Sequence, residues 1–405
     1  MGKRGKMSKD EEKFEEEFVF DFEIEEEEVQ RDKKTENPVK QCIEFIQESK
    51  KGFSRDDLPY LISEDDKRFK IDEDRIYKLT ECEDFRTLGF VDGGNAPLVK
   101  SADFTISLNR VAGVLFKNKA WTQTEHIPDK IEFYSATILK PNESGELEFE
   151  TRFFPKEKKQ SQYLPKNKIQ LPLKEALDER GNMPNIERFS ARARRFAEWT
   201  FAKEFVSQEL GSGDIFVRDG SLQTGYKDEI ELAEQLYQAA LKKNVYITGL
   251  SKTCRLLTAR GDSLISVINL IANKKYPNAQ WYYHPIYKIT KADNQADIYF
   301  LKLHKYSHHP FRFDIYLEQA EKLEDNQKEI DTIISNVAHV SNDLSFPGYP
   351  YGLIKVDQMS RIAYRELDSQ KLMVISEFEK DIYDNYIRPR LNSINVHDII
   401  NEIRK

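Results

Sequence analysis

The order of its apolar segments constrains this chain more than any other feature. Three strand-like runs follow one another at Arg86 to Val91, Phe104 to Phe116 and Ile131 to Leu139, rich in Val, Ile, Phe and Thr and separated by turn residues. A long helical stretch then opens at Pro184 or Asn185 and runs through ERFSARARRFAEWTFAKEFVSQEL to Gly211. A short strand (IFVRD), a helix (DEIELAEQLYQAALKK) and a further strand (VYITGL) come next. This order predicts an α/β fold, an RNase H-like mixed sheet with flanking helices. Three antiparallel strands (WYYHPIY, ADIYFLKLH, FRFDIYLE) and a helical C-terminal part complete it.

Outside that block the pattern changes. Residues 1–36 hold 8 Lys/Arg against 14 Asp/Glu, a net −6 that leaves only −2 of the total −8 to the rest of the chain. The overall acidity therefore excludes no nucleic-acid partner. The acidic run alternates with Phe18, Phe20, Phe22 and Ile24, which reads as a disordered tail, or as a segment that docks on a partner or mimics DNA. Residues 37–82 suggest short helices (VKQCIEFIQESKK, DDLPYLI) ahead of a main domain over 83–405. Within that domain, the lysine-rich, proline-punctuated stretch 141–180 reads as an inserted arm able to face phosphate.

With 405 residues, 39% of them hydrophobic, the chain can bury a substantial core. No run approaches the roughly 18 to 20 apolar residues of a membrane span, which predicts a cytoplasmic protein. Cys42, Cys82 and Cys254 are far apart and form no CxxC pair, so buried free thiols are expected.

Two places repeat one local arrangement of apolar strand, acid and glycine: Asp92 in LGFVDGGNAPL and Asp219 in IFVRDGSL. Acids at strand ends are where an α/β sheet binds its ligand, although Asp-Gly alone also marks a hairpin turn. Between them Glu198 shares a helix face with Phe201 and Phe205, where a carboxylate needs a metal or an ion pair, here with Arg194 or Arg195. The same helix carries Arg188 and Arg192, suited to a nucleic-acid backbone or to solvent. A few carboxylates from different elements are what two Mg²⁺ or Mn²⁺ ions need in metal-assisted phosphodiester hydrolysis.

Lys252, in GLSKT, lacks the glycines of a nucleotide-binding loop; it reads as a point charge for a scissile phosphate or as a surface lysine. In PGYPYGLIKVDQMSRIA a turn enters a helix, with Tyr349 at its mouth and Asp357 two turns in. Asp357 reads as a fourth inward acid or as the i to i+4 partner of Arg361. His304, His308 and His309 form no recognisable metal spacing and read as a loop. There is no GxSxG, GxGxxG after a strand, or HExxH, so serine hydrolysis, hydride transfer and zinc peptidase chemistry lack support.

Taken in order, VDGG, the RRFAEW helix, VRDGSL, GLSKT, PGYPYGLIKVD and a closing VHDII resemble the NurA family of DNA end-resection nucleases, from about Gly89 to the C-terminus. The resemblance implies an RNase H-like core that degrades DNA with Mn²⁺ (or Mg²⁺), as a 5′-to-3′ exonuclease and on single strands. It further implies a ring-like homodimer docked on the hexameric HerA translocase, working in DNA repair or in defence. By position, Asp92, Glu198 and Asp219 correspond to the family's acidic metal ligands and Tyr349 to a tyrosine near its active site. Two departures stand out: Gly-Gly follows Asp92 where Gly-Ser is common, and Asp357 falls where archaeal members place a histidine. Asp357 supplies no neutral imidazole. A rival expectation is a catalytically weak partner that caps a translocase ring and guides DNA.

Overall fold

The computed structural model describes residues 37–49, 59–60, 67–118 and 120–391, which fall into two compact units, Met1–Gly52 and Phe53–Lys405. The first unit contributes one described helix, α1 (Pro38–Ser49), whose start is fixed by the Asn37 side chain accepting from the Val39 N–H. The acidic segment 1–36 and the VHDII motif lie outside the described residues, as does most of DDLPYLI.

The second unit begins with β1 (Lys67–Arg68), β2 (Ile76–Lys78), β3 (Leu88–Lys100), β4 (Phe104–Lys117), β5 (Ala120–Thr122) and β6 (Lys130–Pro141). It continues through β7 (Leu147–Pro155), β8 (Ile169–Pro172), α2 (Leu173–Ala176), α3 (Glu187–Glu209), β9 (Ile215–Asp219), α4 (Glu229–Lys243) and β10 (Tyr246–Ser251). Then come α5 (Leu264–Lys275), β11 (Trp281–Tyr283), β12 (Tyr287–Lys291), β13 (Asn294–Lys302) and β14 (Phe311–Tyr316). Five helices follow: α6 (Leu317–Lys322), α7 (Gln327–His339), α8 (Tyr351–Ser360), α9 (Tyr364–Ser376) and α10 (Lys380–Ile382). Among the described residues no helix is long and apolar enough to cross a membrane.

One mixed sheet carries all the strands, in the order β1-β12-β13-β14-β10-β9-β3-β4-β6-β7-β8, with β2, β5 and β11 attached beside this path. β3, β4 and β6 are successive antiparallel neighbours, whereas β9 lies parallel to β3 and β10 parallel to β9. Numbered by appearance, this block runs 3-2-1-4-5 with α3 and α4 as its crossovers, which is the RNase H-like arrangement. Side chains alternate between the two faces. Leu88 and Phe90 of β3, Val217 of β9 and Leu250 of β10 pack with Ile333 of α7 and Leu353 of α8. On the opposite face Val91, Phe216 and Ile247 pack with Phe201 and Phe205 of α3 and Leu236 of α4. Each of these fully buried side chains contributes about 1.5–3 kcal/mol.

Four expectations need correction. The free thiols are not buried: Cys42 is exposed and Cys82 and Cys254 are half-buried. β3 does not stop at Val91 but runs on through Asp92, Gly93 and Gly94 to Lys100, paired throughout with β4 apart from one irregularity near Leu98. The stretch 141–180 is no protruding arm: β7 and β8 extend the sheet beyond β6. Their charges mislead because the buried acids are partnered within the sheet, Glu150 by Lys140 (2.9 Å), Arg152 (2.6 Å) and Lys168 (2.7 Å), while Glu148 accepts from Gln170 (2.7 Å). Finally, 37–82 is not purely helical, since β1 and β2 pair with β12 and β11 at the far end of the sheet.

Candidate active site

The sheet itself sets the site. β9 ends at Asp219, and its last rung with β3 joins Arg218 to Val91, one residue before Asp92. Both acids therefore stand where β9 stops and β3 continues. Asp92 follows Leu88 and Phe90 onto the face covered by α8; Asp219 follows Ile215 and Val217 there, and Lys252 follows Leu250 just past β10. The Lys252 ammonium sits 2.6 Å from Asp219 Oδ2 and 5.5 Å from the Tyr349 ring centroid. The Tyr349 hydroxyl donates to Asp219 Oδ1 over 3.4 Å. Tyr349 is buried in the turn that leads into α8, and Asp357 on that helix lines the same cavity as Lys252 and Tyr349. Asp357 also holds Arg361 at 2.6 Å, which is the helical ion pair, and it stands half-exposed at the rim of that cavity.

Glu198 approaches from the other face. A Cβ at Gly93 would lie 2.5 Å from Glu198 Oε1, so the missing side chain lets this carboxylate press against the strand beside Asp92. Gly94 does the same for α8, because a Cβ there would meet the Ser360 carbonyl oxygen at 2.3 Å. Asp-Gly-Gly is thus a thinned stretch of strand between two helices and not a turn. Buried Glu198 is bonded to Arg194, one helical turn back, and that guanidinium also donates to the Gly93 carbonyl (3.0 Å).

The electrostatics follow from this crowding. Burial and the neighbouring charges of Glu198 and Asp219 push Asp92 up to about 7, against the Gly93 N–H and Arg194, which pull it down. Burial, then Asp219 and Asp92, raises the Tyr349 hydroxyl, which stays a neutral donor. For Lys252, burial alone acts downward, but the bond to Asp219 outweighs it and the net shift is upward, so the lysine keeps its charge.

Among the described residues no group of three His, Cys, Asp or Glu side chains is gathered as a ready-made metal cage. Glu198 is turned onto Arg194 and Asp219 onto Lys252. The donor set nonetheless fits a hard divalent cation. It is all carboxylate oxygen, each carboxylate can accept more bonds than it does, and no ion pair reaches Asp92 among the described residues. Burial first, and then the charges of Glu198 and Asp219, work against a bare carboxylate at Asp92, and a bound cation would relieve both.

The NurA domain family matches residues 86–362, more than half of the chain and all of the elements just described at the site. The chain belongs to the NurA family. It is a family of nucleases, and the residues carried over from it, Asp92, Glu198, Asp219 and Tyr349, all fall inside the matched region. Solved structures similar to this chain include the NurA nuclease from Sulfolobus solfataricus, at 14% identity over 85% of this chain and 95% of that one, TM-score 0.46. Another NurA structure is similar at 8% identity over 75% and 91%, TM-score 0.40. Endonuclease V from Ciona intestinalis, in complex with DNA, is similar at 11% identity over 74% and 94%, TM-score 0.30. No curated protein matches in sequence.

Sequence reasoning missed Arg218. Buried on the α3 face, it lies 4.0 Å from Glu198 Oε2 and 4.3 Å from the Trp199 ring, and it donates to the Ser221 carbonyl (2.5 Å). Its signal within the NurA motif VRDGSL was a charge inside an otherwise apolar strand. The arginines of α3 need sorting too: Arg192 is held by Asp228 (2.9 Å) and Arg195 by Glu229 (2.8 Å), so these two secure the helix to α4. His308 and His309 sit in the loop between β13 and β14, as expected, and line the cavity beyond Lys252.

Proposed function

We propose that the chain is a divalent-metal-dependent DNA nuclease in which Asp92, Glu198 and Asp219 hold two Mn²⁺ or Mg²⁺ ions. The observation that carries this reading is the placing of Asp92 and Asp219 side by side at the end of β9, with Glu198 brought against the same point through the gap at Gly93. When bound, the ions supply an activated water and a counter-charge for the leaving oxygen. The protein's own groups do the rest. Lys252 keeps a positive charge beside Asp219 and offsets charge developing on the phosphate. Tyr349 fixes the orientation of Asp219 through its hydroxyl, and Arg194 and Arg218 hold Glu198 in place. Asp357, where archaeal relatives carry histidine, adds an acid at the rim in place of an imidazole and is itself oriented by Arg361.

Membership in the family extends the proposal to 5′-to-3′ exonuclease and single-strand endonuclease activity, as a cytoplasmic homodimer docked on a HerA-type hexameric ATPase in DNA end resection, repair or defence. The test is digestion of linear single strands labelled at the 5′ or 3′ end, and of circular single strands, by the purified chain in Mn²⁺, Mg²⁺ or EDTA. Expected are loss of the 5′ label first, linearisation of the circle, and no cleavage in EDTA. Cleavage that persists in EDTA contradicts the metal; an inert chain in every buffer returns the argument to a DNA-guiding cap on a translocase.

A further inference from the structure

A cavity of about 880 Å³ opens beside Lys252, Tyr349 and Asp357, within the range of small-ligand sites of ~300–1,000 Å³. Away from the acids its wall becomes apolar, formed by Leu270 of α5, Ile354 of α8 and Phe346, whose ring stacks on His309 at 6.0 Å and 16°. Leu270 and Phe346 are exposed, so ring-sized apolar surface is offered next to a position suited to phosphate.

One polar group on this wall has its chemistry fixed from behind. Buried Lys302 donates to Asn273 Oδ1 (3.0 Å), and an ammonium can only donate, so the oxygen of Asn273 must face it. The Asn273 amide nitrogen is thereby left to donate to Asn269 Oδ1 (2.9 Å). This relay uses the oxygen of Asn269 and leaves its amide nitrogen without a partner among the described residues, on the wall of the cavity. It is a donor of defined polarity.

We propose that this cavity receives the nucleobase of the nucleotide whose phosphate lies at Lys252, stacking it on Phe346 and meeting an acceptor atom of the base with the Asn269 amide. The proposal rests on the nuclease reading and adds a base subsite to it. A flat π-face is common to every base, so the stacking part tolerates sequence, while the amide favours a base edge with a carbonyl oxygen or an unprotonated ring nitrogen.

The experiment measures binding, by fluorescence anisotropy, of a labelled single strand and of a fully abasic strand of equal length to the full-length Asp92→Ala chain, with and without Phe346→Ala. Phe346 lies at the surface, so its removal leaves the core intact. The expected result is a loss of about 5- to 100-fold for the normal strand and no change for the abasic one. Asn269→Asp, which keeps the acceptor for Asn273 and removes the donor, is expected to weaken the normal strand more than the abasic strand. Equal effects on both strands, or none, overturn the base subsite while leaving the nuclease reading intact. Cleavage by Asp92→Ala at the parent's rate overturns the reading itself, and the subsite with it.

Discussion

Asp92 carries the clearest single-residue consequence. Burial and the neighbouring Glu198 and Asp219 push its pKa up to about 7 from an ordinary 3.8, so folding of the metal-free chain takes up a proton between those values. The group favours the folded state below about pH 4, and that contribution is lost as pH rises through 7. Asp92→Asn is therefore expected to melt above the parent at pH 8, by the equivalent of about 2 kcal/mol once solvent on the open side is allowed for, and to converge with it near pH 4. Saturating Mn²⁺ should raise the melting temperature of the parent and leave that of Asp92→Asn nearly unmoved. A flat difference across pH, in differential scanning fluorimetry, contradicts the crowding of charge described here. Lys252→Ala tests the phosphate role: kcat should fall about 10²-fold with KM little changed. Asp92 and Asp219 stood out in the sequence because each ends an apolar run and is followed by glycine, whereas Glu198 and Asp357 were read from helix faces. Arg218 was not legible, since nothing in IFVRD reveals that its partners are Glu198 and Trp199 on the preceding helix.

Among the elements, β3 shows what local pattern hides. Asp-Gly-Gly-Asn has the composition of a turn, yet both glycines are extended strand, because helices on either side need the room a Cβ would fill. The two positions should respond differently to alanine. At Gly94 the obstacle is the backbone carbonyl of Ser360, which cannot rotate away, so Gly94→Ala should cost about 1–3 kcal/mol in urea denaturation. At Gly93 it is the end of the Glu198 side chain, which can move; Gly93→Ala should stay folded and lose cleavage instead. Equal losses of stability at both positions contradict this account. β7 and β8 escaped detection for another reason: buried Glu150 is neutralised by Lys140, Arg152 and Lys168 and buried Glu148 is bonded by Gln170, and sequence periodicity counts such residues as exposed.

For the whole molecule, strand order was the most readable property. Three antiparallel strands followed by two parallel ones with helical crossovers admit few topologies, and the sheet adopts the expected one. Assembly is a different matter, because an interface leaves no periodic trace in one chain. Carried to this chain, the family's homodimer predicts a mass by light scattering of twice the 47.5 kDa of the monomer; a monomer mass at micromolar concentration removes it. Deleting residues 1–36 separates a docking segment from a tail, by loss or retention of binding to a HerA-type ATPase.

The central claim is that the carboxylates gathered at the end of β9 cleave DNA. It is tested most directly by comparing parent and Asp92→Ala on end-labelled single-stranded DNA in Mn²⁺, with melting curves showing both folded. The account predicts metal-dependent degradation by the parent and none by the variant; a folded Asp92→Ala chain that degrades DNA at the parent's rate contradicts it.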